Sequence, residues 1–109
     1  NGNDQLATAA AQGKEDLVEE LLHRGVPANG LNSLGRSSIQ VMKMGNPNIA
    51  RTLIQWGADP RAQDPRTGTS PAHDAIREGF LDTLQVLLAG GASLYEPLDN
   101  YGLRPIDWA

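Results

Sequence analysis

The chain is predicted to be an all-α solenoid of stacked helix-turn-helix units, and three observations predict it. A short unit recurs: Gly35 precedes Ser37, Gly68 precedes Ser70 and Gly102 precedes Arg104, so the step is 33 residues from Ser37 to Ser70 and 34 from Ser70 to Arg104. Counting back 33 residues from Ser37 reaches Asp4, which opens a first copy. The third residue of each unit is apolar (Leu6, Ile39, Ala72, Ile106), and the units close on Gly25, Gly57 and Gly91. Finally, one Phe, two Trp and two Tyr are too few for a large aromatic core. Abundant Ala and Leu instead suit thin helical layers, each of which buries its face only because the next layer is present.

The repeats span about residues 4–33, 34–66, 67–100 and 101–109, the last partial, within one domain covering 1–109. In the first, Leu6, Ala9 and Ala10 make the apolar stripe of one helix, and Leu17, Val18, Leu21 and Leu22 that of the next, by their spacing of three and four. Asp4 is the expected N-cap, and Gly13 and Gly25 the expected helix stops. Gly30, Asn32 and Gly35 supply the turn into the second repeat.

That second repeat is one residue short. Gly13 lies nine positions after Asp4 and Gly79 nine after Ser70, but Gly45 lies only eight after Ser37. The segment from Ser37 to Met44 is therefore predicted to form a single turn or a 3₁₀ piece. A helix opened by Asn46-Pro47 follows, running through Arg51, Leu53, Ile54 and Trp56. The third repeat is the most regular, with Ser70 as cap, Gly79 between its helices and Phe80, Leu81, Leu84, Val86, Leu87 and Leu88 filling the second. Of the fourth, only Arg104-Pro105-Ile106-Asp107-Trp108-Ala109 is present. An uncovered last layer implies either a longer natural protein or a shortened form, and a marginal, weakly cooperative domain.

Composition excludes several functions. With no cysteine and two isolated histidines, thiolate metal sites and disulfides are excluded and zinc is not expected. A formal charge of −4 without a basic cluster argues against nucleic acid and for a basic protein partner. No apolar run approaches the roughly 18 residues of a membrane span, and the N-terminus lacks signal-peptide form, so a soluble cytoplasmic or nuclear monomer is expected. Ser70, His73 and Asp74 lie too close on one helical turn to form a catalytic triad, and no cofactor loop is visible.

A period near 33 with a turn and two antiparallel helices is the ankyrin signature. Within that class, the short second repeat with Gly35-Arg36, Ile39-Gln40-Val41-Met42 and Met44-Gly45 resembles the INK-type inhibitors of cyclin-dependent kinases. So do Gly57-Ala58-Asp59-Pro60, Asp64-Pro65, His73-Asp74-Ala75 and the run from Arg77 to Leu84. The resemblance covers roughly residues 4–109. It implies a non-enzymatic inhibitor that binds a D-cyclin-dependent kinase beside the ATP cleft, opposite the cyclin, and misaligns the kinase lobes. It also implies partner-binding residues: Asp74 as the acidic contact to a kinase arginine, Asp64 and Asp82 as further acidity, Asn32 and Ser33 on a loop tip. Gln40, Val41, Met42 and Met44 would contribute from the short helix and Phe80 an apolar contact. A generic ankyrin scaffold for another partner is the alternative, and it requires no shortened repeat.

Overall fold

The computed structural model describes all residues, Asn1–Ala109. Three helix pairs follow one another: α1 (Gly2–Gln12) and α2 (Glu15–His23), α3 (Ser38–Val41) and α4 (Pro47–Gln55), then α5 (Pro71–Glu78) and α6 (Leu81–Ala89). A 3₁₀ turn, Pro105–Trp108, begins the fourth unit. α1 lies against α3, α2 against α4, α4 against α6, and α5 against the 3₁₀ turn. The stack is elongated, 37 × 26 × 20 Å. Extended pairing is limited to one bridge between Leu31 and Ser37, so the all-α ankyrin solenoid expected from the repeat is the observed fold.

The apolar stripes join into one continuous core that threads the layers: Leu6, Ala10, Val18 and Leu22 from the first, Ile39, Ile49 and Leu53 from the second, Ala75 and Leu87 from the third. Leu17 departs from the predicted stripe and is 38% exposed, and Leu81, placed in the α6 filling, is 65% exposed. Thr83, which hydropathy does not nominate, takes a buried position on α6 beside Leu87. Gly13 and Gly79 close α1 and α5 with φ of 74° and 79°, the left-handed region where a side chain is strained.

The first helix begins earlier than expected. Asn1, not Asp4, is its cap, with Oδ1 accepting the Asp4 N–H at 2.9 Å. The Asp4 carboxylate instead accepts from the backbone N–H and hydroxyl of Ser33, at 2.7 and 3.1 Å, and fastens the next loop to α1. The backbone hydrogen bond holds the Asp4 carboxyl below its ordinary range, against a partial desolvation.

The missing residue of the second repeat has a clear structural result. α3 is a single four-residue α-turn, against 11 residues in α1 and eight in α5. A helix this short has no cooperative stability of its own, so its flank is tied on both sides. Lys43 N–H donates to Ala10 O at 2.9 Å, and Thr83 Oγ1 donates to Met44 O at 2.6 Å. Met42 and Met44 turn inward, 4% and 7% exposed, and fill the space that a longer helix would occupy.

Candidate functional site

Three turns link the repeats, and the same device builds each. Asn32 Oδ1 accepts the N–H groups of Leu34 and Arg36 at 2.9 and 3.0 Å. Asp64 Oδ1 accepts from Arg66 N–H at 2.8 Å, and Asp99 Oδ1 accepts from Tyr101 and Leu103, both at 2.9 Å. A short carbonyl- or carboxylate-bearing side chain folds back onto the chain two residues on and holds the turn rigid. Just beyond, Leu34 and Tyr101 are held out at the tips, 73% and 79% exposed. Neither was singled out from sequence, although each immediately precedes a turn glycine at the repeat spacing.

The acidic candidates occupy different settings. Asp74, on the first turn of α5, has a side chain only 21% exposed and pairs with Arg77 Nη2 at 3.1 Å. Burial pushes its carboxyl above the ordinary range. Arg77 opposes that, Glu78 adds to it, His73 opposes it, and the nearby charge of Asp64 adds to it. Asp64 is not the solvated surface carboxylate its loop position suggests: its side chain is 18% exposed and Oδ2 lies 3.3 Å from Arg36 Nε. Arg36 Nε makes no hydrogen bond there. Asp82 is separate from these two. It is exposed in the first turn of α6, where negative charge complements the helix dipole, and it lines a groove between α4 and α6.

The remaining candidates divide between surface and interior. Ser33 is exposed at its loop, held by Asp4. Val41 and Gln40 are half-buried; Gln40 Oε1 accepts the Ser37 N–H at 2.9 Å and starts α3, while its Nε2 is buried without a partner. Phe80 is 41% exposed and lies over Gly45, where a Cβ would come within 3.2 Å of its Cε1. Met42 and Met44, expected at the partner surface, instead have their side chains in the core, 4% and 7% exposed, where they fill the gap left by the deletion.

Ser70, His73 and Asp99 bring a hydroxyl, an imidazole and a carboxylate together, but for structure. His73 Nδ1 accepts the Ser70 N–H at 3.0 Å, which leaves the ring proton on Nε2, donated to Leu103 O at 3.0 Å. Asp99 Oδ2 sits 3.9 Å from Nε2 and accepts from Trp108 Nε1 at 2.8 Å. All three residues are 5% exposed or less, so no substrate reaches them. The network locks the fourth unit onto the third and gives Trp108, unassigned from sequence, a role. Burial raises the Asp99 carboxyl. Hydrogen bonds from Leu103, Trp108 and Tyr101, and the influence of His73, outweigh this and hold it below the ordinary range.

The stacked helix pairs, with side-chain-fastened turns and projecting tips between them, define an ankyrin-repeat protein. The profile described as ankyrin repeats (3 copies) matches residues 6–109. The chain is 51% identical over 104 residues to cyclin-dependent kinase 4 inhibitor B of Mus musculus, covering 95% of this chain and 79% of that one. It is 50% identical over 109 residues to the Homo sapiens protein of the same name, covering 99% and 78%. Against cyclin-dependent kinase inhibitor 2A of Monodelphis domestica it is 50% identical over 106 residues, 97% of this chain but 61% of that relative's length. The chain belongs to the INK family of ankyrin-repeat cyclin-dependent kinase inhibitors, which are regulatory proteins rather than enzymes.

Proposed function

We propose that the chain inhibits a D-cyclin-dependent kinase by binding beside the ATP cleft, on the side away from the cyclin, and restrains entry into the cell cycle. The observation that carries this reading is the identity of about half of all residues, over nearly the whole chain, with proteins named as inhibitors of these kinases. The shortened second repeat adds support, since a generic scaffold has no need of it. Asp74 is the proposed anchor. It is partly desolvated and already bonded to one arginine, so a kinase guanidinium can take the place of Arg77 at little further desolvation cost. Val41, Phe80 and the exposed tips at Ser33 and Leu34 supply the surrounding contact.

Inhibition then follows from population shift. A rigid surface that fits the misaligned lobes better than the active arrangement biases the kinase by the difference in affinity. Turns fastened by Asn32, Asp64 and Asp99 hold that surface in shape before binding, so little ordering entropy opposes association. The proposed setting is a monomer acting in cytoplasm and nucleus, without nucleic acid or membrane partners. No helix is long and apolar enough to cross a membrane. Capture from cell extract tests the proposal: a D-cyclin-dependent kinase is retained by the chain and lost with Asp74→Ala. Failure of the unaltered chain to retain any such kinase overturns it.

A further inference from the structure

Outside the proposed kinase surface, one side chain joins the first two repeats through both ends of its amide. Asn29 Nδ2 donates to Gly57 O at 2.8 Å, and Asn29 Oδ1 accepts the Asp59 N–H at 2.7 Å. This contact needs an amide, because one end must donate and the other accept. The residue that follows is Gly30, so the clamp is made by the asparagine of an Asn-Gly pair in an exposed loop.

We propose that Asn29-Gly30 is a covalent ageing site, protected by the first-to-second repeat contact and damaging to that contact once modified. The reaction needs only water. The Gly30 backbone nitrogen, giving up its proton, attacks Asn29 Cγ; the N–Cγ bond forms, the Cγ–Nδ2 bond breaks and ammonia leaves, giving a cyclic imide. Water then opens the ring at the side-chain carbonyl to give aspartate, or at the backbone carbonyl to give isoaspartate. Glycine permits the attack because no Cβ hinders the approach of its nitrogen.

In the folded chain both reactants are tied down. The Asn29 amide is held by Gly57 and Asp59, and the Gly30 N–H donates to Pro27 O at 3.1 Å. Attack therefore requires the first repeat to open from the second, a local event that a linear stack permits between neighbouring units. The product cannot restore the clamp. A carboxylate oxygen replaces the donor facing Gly57 O, setting acceptor against acceptor, and the new charge sits beside Asp59. An isoaspartate also adds a backbone methylene next to Gly30. That lengthens the chain between the Asn29 contacts to Gly57 and Asp59 and the Gly30 N–H bond to Pro27 O. The affected loop runs directly into Asn32 and Ser33.

The second Asn-Gly pair, Asn1-Gly2, serves as an internal reference. Its side chain makes a single cap bond, to Asp4 N–H, and aspartate there is an equally good cap. The test ages the purified chain at mildly alkaline pH, folded and in urea, and follows both pairs by peptide mapping. Asn29 is expected to convert about tenfold or more slowly in the folded chain than in urea, because opening limits it. The protection of Asn1 is expected to be much smaller. Asn29→Asp is expected to melt below the unaltered chain, while Asn1→Asp does not. Equal Asn29 rates in folded and unfolded chains, or Asn29→Asp melting with the unaltered chain, would overturn the proposal. Neither measurement involves the kinase, so its failure is distinct from failure of the inhibitor reading.

Discussion

Replacing Thr83 by valine tests how the shortened repeat is held. The two side chains have nearly the same shape, so the change removes one hydroxyl from a site that is 1% exposed. What is lost is the 2.6 Å bond to Met44 O, and what remains is a buried carbonyl facing a methyl group. Leaving a buried acceptor unsatisfied costs about 1–3 kcal/mol. An unfolding entropy of about 2.1 cal/mol/K per residue over 109 residues gives about 0.23 kcal/mol/K. The melting midpoint of Thr83→Val should therefore fall by about 4–13 °C, read by calorimetry or circular dichroism. Thr83→Ser keeps the hydroxyl and loses a buried methyl, so it should retain the protection of the Met44–Gly45 segment in hydrogen exchange that valine forfeits. If Thr83→Val melts with the unaltered chain and Met44–Gly45 exchange is unchanged, α6 does not hold the short turn and the reasoning fails.

Asp74→Asn should separate stability from binding. Because the folded carboxyl titrates above its ordinary value, the stabilisation of its protonated form is present at low pH and lost as pH rises through the folded value. The asparagine variant should then melt at or above the unaltered chain at neutral pH, with the difference closing in acid, while kinase affinity falls by about 2–5 kcal/mol, some 30- to 4,000-fold. Asp99→Asn has the opposite sign: the depressed carboxyl contributes stability above the ordinary value of 3.8 and loses it as pH falls through the folded one. Setting an amide N–H against Trp108 Nε1 should cost about 1.5–3 kcal/mol near neutrality, and thermal melts against pH should show the gap to the unaltered chain shrinking in acid. Leu53→Ala, at a fully buried joint of the second layer, should lose about 2–5 kcal/mol in urea unfolding.

The fold was legible because the solenoid repeats its punctuation. Glycines at helix ends and turns, the prolines opening α5 and the 3₁₀ turn, and apolar spacings of three and four all recur at the same step, so each unit corroborates the next. The single turn of α3 followed from counting eight residues where its neighbours have nine. Which side of that turn faces inward did not. Met42 and Met44 lie in the core and Leu81 on the surface because the packing of neighbouring layers, not hydropathy, decides the burial of each face. Asp4 illustrates the same limit: its residue type suits an N-cap, yet Asn1 supplies the cap and Asp4 is taken by Ser33, a partner 29 residues on.

Within the candidate surface, chemistry was easier to read than orientation. Asp74 sits on α5 as its motif indicates, and its partial burial beside Arg77 comes at a cost in stability. Asn32 and Asp64 carry the residue types expected of polar contacts, but Oδ1 of each is spent on a local turn and Asp64 Oδ2 faces Arg36, and it is the tips beyond them that project. The Asp99 turn could have been found by aligning it with Asn32, each lying five residues before the opening residue of the next unit. Its link to Trp108 and the neighbourhood of His73 depend on the third and fourth units being stacked.

Affinity for a D-cyclin-dependent kinase, measured by titration calorimetry with the kinase alone and with its cyclin complex, tests the central claim most directly. A surface that selects misaligned lobes should bind the free kinase more tightly than the cyclin-bound form, and by linkage should weaken the kinase's affinity for cyclin by the same factor. Equal affinity for the two forms, or no binding to either, would contradict it.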